Sequence, residues 1–430
     1  MTATTTTSPR LAVPRLGWPV AAASLGLALA VYLGLKWLLL RDAIDSPFVA
    51  LYGGLVSLYL TTRWFVGHRW STLAAVVLPD QQLPTLSVIV PVKNEGLLIG
   101  MTVQRLFGAG YPADRFEVVV ADDGSTDDTS TVLRLAQQSY PRLRVITLPE
   151  NRGKRRAMAA AVQQSNSDVV VVIDSDTLID HGSLNVLVTA FQDERVAAVA
   201  GRTEILNEDV NWLTQVQALV YEVSFRIHKS AEAAMSAVTC CPGCFSAYRR
   251  VAIEPLMDEW VSQEFLGEHT IFGDDRSLTM LLLRSGHNVT YEPAARARTE
   301  APENVRGYLR QQLRWKKSWI QQGLRGCRFM YRRRPLAAFW FYSGFLLSLL
   351  SPHVLLRTFV VAPLVDGTFP WRFVLGSAAV GLGLGAYLSL QRGDLKRLRP
   401  VLVYPLVGVV LTLQMPVAIA RLGDARWGTR

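Results

Sequence analysis

Two carboxylates, Asp174 and Asp176, close the stretch "DVVVVIDSDT" at residues 168–177. Val169 to Ile173, all β-branched and apolar, run straight into them. Residues i and i+2 of an extended chain point the same way, so the two acids can converge on one cation. Hard oxygen ligands suit Mg2+ or Mn2+, which would also grip phosphate oxygens. A solvated loop or a helix cap would produce an isolated Asp-x-Asp equally well, so the surroundings decide.

The surroundings repeat the pattern. "VVVADDGSTDDT" (118–129) ends another apolar run in Asp122 and Asp123, and "SVIVPVKNEG" (87–96) ends a third in Lys93, Asn94 and Glu95. Carboxylates there can accept from a nucleobase edge or from ribose hydroxyls. "NRGKRRAM" (151–158) sets Lys154 and Arg155 at a helix start. A cation is unfavourable there unless an anion occupies the site.

Two later motifs sharpen the chemistry. "FGDDRSLT" (272–279) brings Asp274, Asp275 and Arg276 together. Adjacent carboxylates with an Arg can raise one pKa and fix the other, which suits a general base. A helix N-cap with an ion pair would use the same residues. In "QQLRWKKSW" (311–319), Gln311, Arg314, Trp315 and Ser318 share one helix face. An aromatic platform beside an Arg and an amide suits a sugar ring and a diphosphate. An amphipathic helix on a membrane surface would look the same, and both can hold.

The elements that must position these residues are legible between 84 and about 300. "LSVIVPV" (86–92), "FEVVVA" (116–121), "LRVITL" (143–148), "DVVVVID" (168–174) and "RVAAVA" (195–200) read as strands. Continuous apolar runs suit strands buried on both faces, as in parallel sheets. Helical stretches at 95–107, 127–138 and 154–164 alternate with them. This predicts an α/β fold with a doubly wound sheet, whose ligands bind beyond the carboxyl ends of the strands.

Around this unit the 430-residue chain is apolar, and its mean hydropathy is +0.20. Residues 16–40 and 46–62 predict two membrane helices, and 336–362, 372–390 and 400–420 predict three apolar blocks after the domain. The net charge of +10 is concentrated beside these segments: Arg10, Arg15, Arg69, "YRRRP" (331–335), Lys396, Arg397 and Arg399. That is the positive-inside pattern, not a nucleic-acid footprint, and it sets the central domain in the cytoplasm. Cys240, Cys241 and Cys244 crowd into "TCCPGC". A structural zinc site needs four ligands, and no second pair or nearby His supplies them.

Taken together, "VKNE", "ADDGSTDD", "GKRRA", "DSD", "GDDRSLT" and "QQLRW" resemble, in order and spacing, the processive membrane family-2 glycosyltransferases. That class contains cellulose, chitin and hyaluronan synthases. "GDDRSLT" with "QQLRWKKS" is most similar to hyaluronan synthases and nodulation chitin-oligosaccharide synthases, as is the tail "WGTR" (427–430). "CCPGCFSAYRR" (240–250) resembles the acceptor-site segment, with wording nearer to chitin synthases.

The resemblance implies a cytosolic GT-A (Rossmann-like) glycosyltransferase domain at 84–300, inserted between transmembrane helices. Residues 1–70 would carry two membrane helices, 301–335 interfacial helices, and 336–430 transmembrane or re-entrant segments. It implies UDP-sugars as donors, a growing polysaccharide, Mg2+ or Mn2+, and a multi-pass enzyme of the cell membrane. Glu95 and Asp123 would hold the uridine, Lys154 the nucleotide, Asp174 the donor and Asp176 the metal, with Asp174 beside it. Asp275 would be the base, flanked by Asp274 and Arg276. Gln311, Arg314 and Trp315 would bind the diphosphate and acceptor sugar, and Trp427 and Arg430 would close over the nucleotide.

Three functions follow from this. A synthase would alternate UDP-N-acetylglucosamine and UDP-glucuronate, as for hyaluronan, or use one sugar, as for chitin. A transferase would add one sugar to a lipid carrier. A transport or scaffold protein would carry a dead domain, which the intact acids oppose. The residues name no protein partner. Two helices before the domain and three after would strand Trp427 on the far side. Pro405 and Pro416 therefore predict a broken, re-entrant or interfacial last segment. Arg357 and His353 are either path-lining or snorkelling groups.

Overall fold

A computed structural model describes residues 47–71, 77–270, 272–365 and 398–424, with a few isolated positions between 366 and 397. The strands are β1 (Leu86–Val92), β2 (Phe116–Asp122), β3 (Leu143–Thr147), β4 (Val169–Val172), β5 (Leu178–Ile179), β6 (Val196–Ile205), β7 (Ser246–Arg249), β8 (Glu264–Phe265), β9 (Glu268–His269) and β10 (Asn288–Thr299). The helices that matter here are α1 (Pro47–Ser71), α2 (Gly96–Phe107), α3 (Thr129–Ser139), α4 (Lys154–Gln163), α5 (Ser183–Val188), α6 (Trp212–Val223), α7 (Asp274–Arg284), α8 (Val305–Gly326), α9 (Pro335–Leu356) and α10 (Leu398–Ala420).

Eight strands form one sheet in the order β3-β2-β1-β4-β7-β6-β10-β5. Its apolar runs are buried on both faces. Val88, Val90, Val118, Val120 and Val171 face α2 and α3 through Ile99, Val103 and Leu133. Ile89, Val119, Val170 and Val172 face the opposite cluster, with Ala157, Met158 and Leu281 from α4 and α7. The period of two is present, but both faces are dry.

The sheet is not the parallel one that the runs predict. β1, β2, β3 and β4 are parallel, yet β7 runs antiparallel to both β4 and β6, and β5 runs antiparallel to β10. An apolar run reports burial on two faces, not strand direction. β7 is four residues long and carries Ser246 and Arg249, so no run marks it.

In β1 and β2 Leu86 lies opposite Phe116 and Val92 opposite Asp122, and β4 sets Val172 opposite Ile89. The three strands therefore end close together at one rim.

α6 continues through a π-helical stretch, Ser224–Lys229, to Ala234. α9 continues through a second π stretch to Val365. Pro335–Val365 and Pro400–Ala420 are long and apolar enough to cross a membrane by length and composition. His353 and Arg357 are exposed on α9 and its extension.

α10 is one unbroken helix with Pro405 and Pro416 inside it, so the expected break is corrected. Packing outweighs the lost backbone bonds. Val401 packs on Leu219 of α6, Gln414 donates to the Leu309 carbonyl (2.7 Å), and Met415 and Ala418 pack on Ile320 of α8. Lys317 and Gln321 of α8 then donate to the carbonyls of Asp424 (2.7 Å) and Leu422 (3.1 Å). Trp427 and Arg430 lie outside the described residues, a few positions beyond that anchor.

Candidate active site

The rim begins with loops that satisfy their own polar groups. Asp122 accepts from the Ser125 amide (2.9 Å) and the Ser130 hydroxyl (3.2 Å). Asp123 accepts from the amides of Arg152 (2.8 Å) and Gly153 (2.9 Å), tying β2 to the turn before α4. Burial lifts the Asp123 pKa, with the two amides and Lys93 pulling against it. Lys93 itself donates to the carbonyls of Asp123 (3.1 Å) and Gly124 (2.6 Å). Glu95 stands at the N-cap of α2, half-buried, with its amide on the Thr129 hydroxyl (3.0 Å).

Lys154, at the first position of α4, forms an ion pair with Asp174. Burial alone would favour loss of its proton. The carboxylates of Asp174, Asp274 and Asp275 outweigh burial and hold the ammonium above its usual range. A Cβ on Gly243 would lie 3.5 Å from Lys154 Nζ, so the "TCCPGC" loop closes over this pair.

The chain does not stay extended through Asp174 and Asp176. The Thr177 amide donates to the Asp174 carbonyl (3.0 Å), which makes a tight turn. Alternation along a strand is therefore the wrong reason for the two acids to meet. Both acids instead act electrostatically on the same two neighbours. Burial raises the pKa of Tyr221 and Cys244, and both Asp174 and Asp176 add to each rise. Asp176 also accepts from Thr299 at the end of β10 (3.4 Å).

Asp274 and Asp275 differ in their hydrogen-bond partners. Asp274 is buried and accepts from Arg155 Nε (3.0 Å). Arg155, also buried, donates its other nitrogens to the carbonyls of Trp260 (2.9 Å) and Phe272 (3.2 Å). Burial raises the Asp274 pKa, opposed by Arg155 and Lys154. Asp275 is half-buried. It accepts from the Arg276 amide (2.7 Å) and from the Cys240 thiol (3.4 Å).

α8 closes the site. Gly273, with φ +71°, has no space for a Cβ, because Ser318 Oγ would be 1.9 Å away. The loop leading to Asp275 thus sits directly on the helix carrying Gln311, Arg314 and Trp315. Burial lowers the Arg314 pKa, while Asp274, Asp275 and Asp174 pull it back up. Gln311 is half-buried. Trp315 is 40% exposed, and its ring lies 6.4 Å from that of Tyr221. Arg276 points toward a cavity of about 240 Å³ lined also by Arg63, Trp319, Gln322, Trp340 and Phe341. His353 and Arg357 do not line it.

Sequence reasoning missed Tyr221 and the contact of Cys240 with Asp275. Tyr221 lies in an ordinary amphipathic helix and carries no signal. Cys240 and Gly243 belong to the 240–250 segment whose wording resembles an acceptor site, but nothing in that wording names Asp275 as a neighbour.

Among the described residues, no three His, Cys, Asp or Glu side chains gather as metal ligands. A divalent cation held by one or two carboxylates, with substrate phosphates and water, needs no third. Asp176, with Asp174 beside it, fits that donor set.

Residues 84–318 match the family described as glycosyltransferase like family 2. An N-acetylglucosaminyltransferase of Rhizobium meliloti is 30% identical over 91% of this chain and 92% of its own. One of Mesorhizobium japonicum is 32% identical over 81% and 82%. A solved mannosyltransferase from Pyrobaculum calidifontis, in complex with GDP-Man and Mn2+, covers 89% of this chain and 99% of its own, with TM-score 0.61 and 22% identity. The last likeness concerns the fold, which is GT-A-like. With an intact family match over the whole acid-bearing domain, the chain is a glycosyltransferase and belongs to family 2.

Proposed function

We propose that this chain is a multi-pass cell-membrane enzyme that extends a β-linked polysaccharide from UDP-N-acetylglucosamine, with its domain on the cytoplasmic face. One observation carries the reading: Lys154 pairs with Asp174, and the carboxylates of Asp174 and Asp275 act on both Lys154 and Arg314 at one rim. The names of the curated relatives favour a single N-acetylglucosamine donor over alternation with UDP-glucuronate. The two long apolar helices and the cavity beside Arg276 support synthesis coupled to export of the polymer.

In this reading Glu95 and Asp123 border the nucleotide, and Lys154 and Arg314 hold the diphosphate. Trp315 and Gln311 seat the acceptor sugar. Asp275 takes the proton of the acceptor hydroxyl while that oxygen bonds to the anomeric carbon. The bond from that carbon to the diphosphate breaks, and UDP leaves with the electron pair. The configuration inverts, and no enzyme carboxylate attacks the sugar, unlike a retaining glycosidase. Negative charge develops on the departing phosphate, where fixed cations are worth most. A Mg2+ or Mn2+ ion at Asp176 and Asp174 would neutralise part of that charge. Trp427 and Arg430 would complete the nucleotide site from the tail.

The deciding experiment supplies the purified full chain with UDP-N-acetylglucosamine alone, with UDP-glucuronate alone, and with both. A polymer from the first alone, cut by chitinase, is the expected result. A product that needs both and yields only to a hyaluronan lyase would replace it with the hyaluronan reading.

A further inference from the structure

The loop Thr239–Cys241, which touches Asp275, has no regular structure of its own. Buried backbone groups still need partners, and side chains of two helices supply them. The Thr239 amide donates to Glu232 Oε2 (3.0 Å), and Lys229 donates to the Cys240 carbonyl. The Cys241 amide donates to Thr279 Oγ1 (2.9 Å) on α7. The Cys240 thiol then reaches Asp275 Oδ2 (3.4 Å).

Lys229 and Glu232 lie at and just after the π-helical stretch of the α6 helix. A π bulge inside an α-helix is frequently found at a functional site. α1 docks on this stretch. A Cβ on Gly67 would lie 2.3 Å from the Ile227 carbonyl oxygen, so the two backbones meet without side chains between them. Arg63 of α1 forms a buried ion pair with Glu232 and donates to Tyr59 Oη (2.5 Å) and His228 Nδ1 (3.3 Å). An Arg can only donate, so the His228 proton sits on Nε2.

We infer that Arg63 and Glu232 are positioning residues for the base: the seating of α1 on the π stretch sets the place of the 239–241 loop and, through Cys240, of the Asp275 carboxylate. Arg63 and Glu232 line the cavity beside Arg276, and neither takes the proton or holds the diphosphate in the reaction described above. The inference rests on Asp275 being the base.

The test uses the purified full chain, UDP-N-acetylglucosamine and a chitin oligomer. R63Q and E232Q should each lower kcat about tenfold and leave the donor KM within about twofold. The double variant should be no slower than either single one, because both break the same link. C240A, a small change that spares the ion pair, should lower kcat about threefold, and C240S, which keeps a donor, should restore it. Wild-type kcat in R63Q and E232Q overturns the inference, as does a double variant with multiplied losses. So does a C240A loss that C240S fails to restore, which also covers the case in which the ion-pair variants do not fold. D275N is run alongside. Transfer that survives D275N removes the base assignment itself, whereas loss in D275N with normal rates in R63Q removes the coupling alone.

Discussion

Gly273 and Ser318 touch so closely that a single added methyl group on the glycine would lie 1.9 Å from the serine hydroxyl oxygen. The loop that delivers Asp275 and the helix that carries Arg314 are thereby locked in one relative position. G273A faces two penalties. Its φ of +71° is left-handed, worth roughly 1–2 kcal/mol against a side chain, and the clash adds to it. UDP release should fall at least about tenfold and the melting temperature should drop. G273A with S318G removes the clash but keeps the backbone strain, so it should recover only part of the loss. Full activity in G273A would show that this contact does not set the geometry.

Arg155 and Asp274 predict a stability effect separable from chemistry. Removing one partner of a buried ion pair costs about 3–5 kcal/mol, since the other charge stays buried and unpaired. R155M should therefore unfold far more easily than the unaltered chain. R155M combined with D274N should be less damaged than R155M alone. D274N should retain most of the transfer rate while D275N loses it. If D274N folds normally and is as inactive as D275N, Asp274 takes part in the reaction.

His228 predicts the pH dependence of stability. Burial and the adjacent Arg63 push its pKa down to about 3. The unfolded chain binds the proton near pH 6.5, and the folded chain refuses it until about pH 3. Between those values the unfolded state holds more protons, so stability falls as pH falls, by up to about 1.4 kcal/mol per unit. H228N should flatten that acid limb in thermal melts in detergent. A melting curve whose pH slope is unchanged in H228N would contradict the assignment.

Asp176 predicts the response to metal removal. Chelation should abolish UDP release, and Mn2+ or Mg2+ should restore it. D176N should raise the metal concentration needed for half-maximal rate about tenfold or more. Asparagine keeps an oxygen that can accept from Thr177 (3.5 Å) and Thr299 (3.4 Å), so the melting temperature should change little. Activity that survives chelation would remove the ion from the proposed chemistry.

Much of this architecture is readable from residue order. Leu86–Val92, Phe116–Asp122 and Val169–Val172 lie where their apolar runs put them, with acids at or just beyond the ends. α2, α3 and α4 begin and end close to the predicted stretches. β7 escaped because a four-residue strand in mid-sheet carries no periodicity of its own. The antiparallel turn of the sheet escaped for the same reason. Pro405 and Pro416 misled, because helix breaking is a local tendency and the packing of α10 on α6 and α8 overrides it.

The sequence by itself determined the family, the buried strands and the identity of the acids, because burial and motif spacing are properties of short segments. Only the tertiary structure decided what surrounds each acid. Asp274 and Asp275 are chemically identical neighbours, and in the sequence only the family resemblance singles out Asp275 as the base. Arg155, 119 positions from Asp274, takes that carboxylate into the interior, and Cys240, 35 positions from Asp275, meets the other. Partners so far apart along the chain are brought together only when the sheet closes.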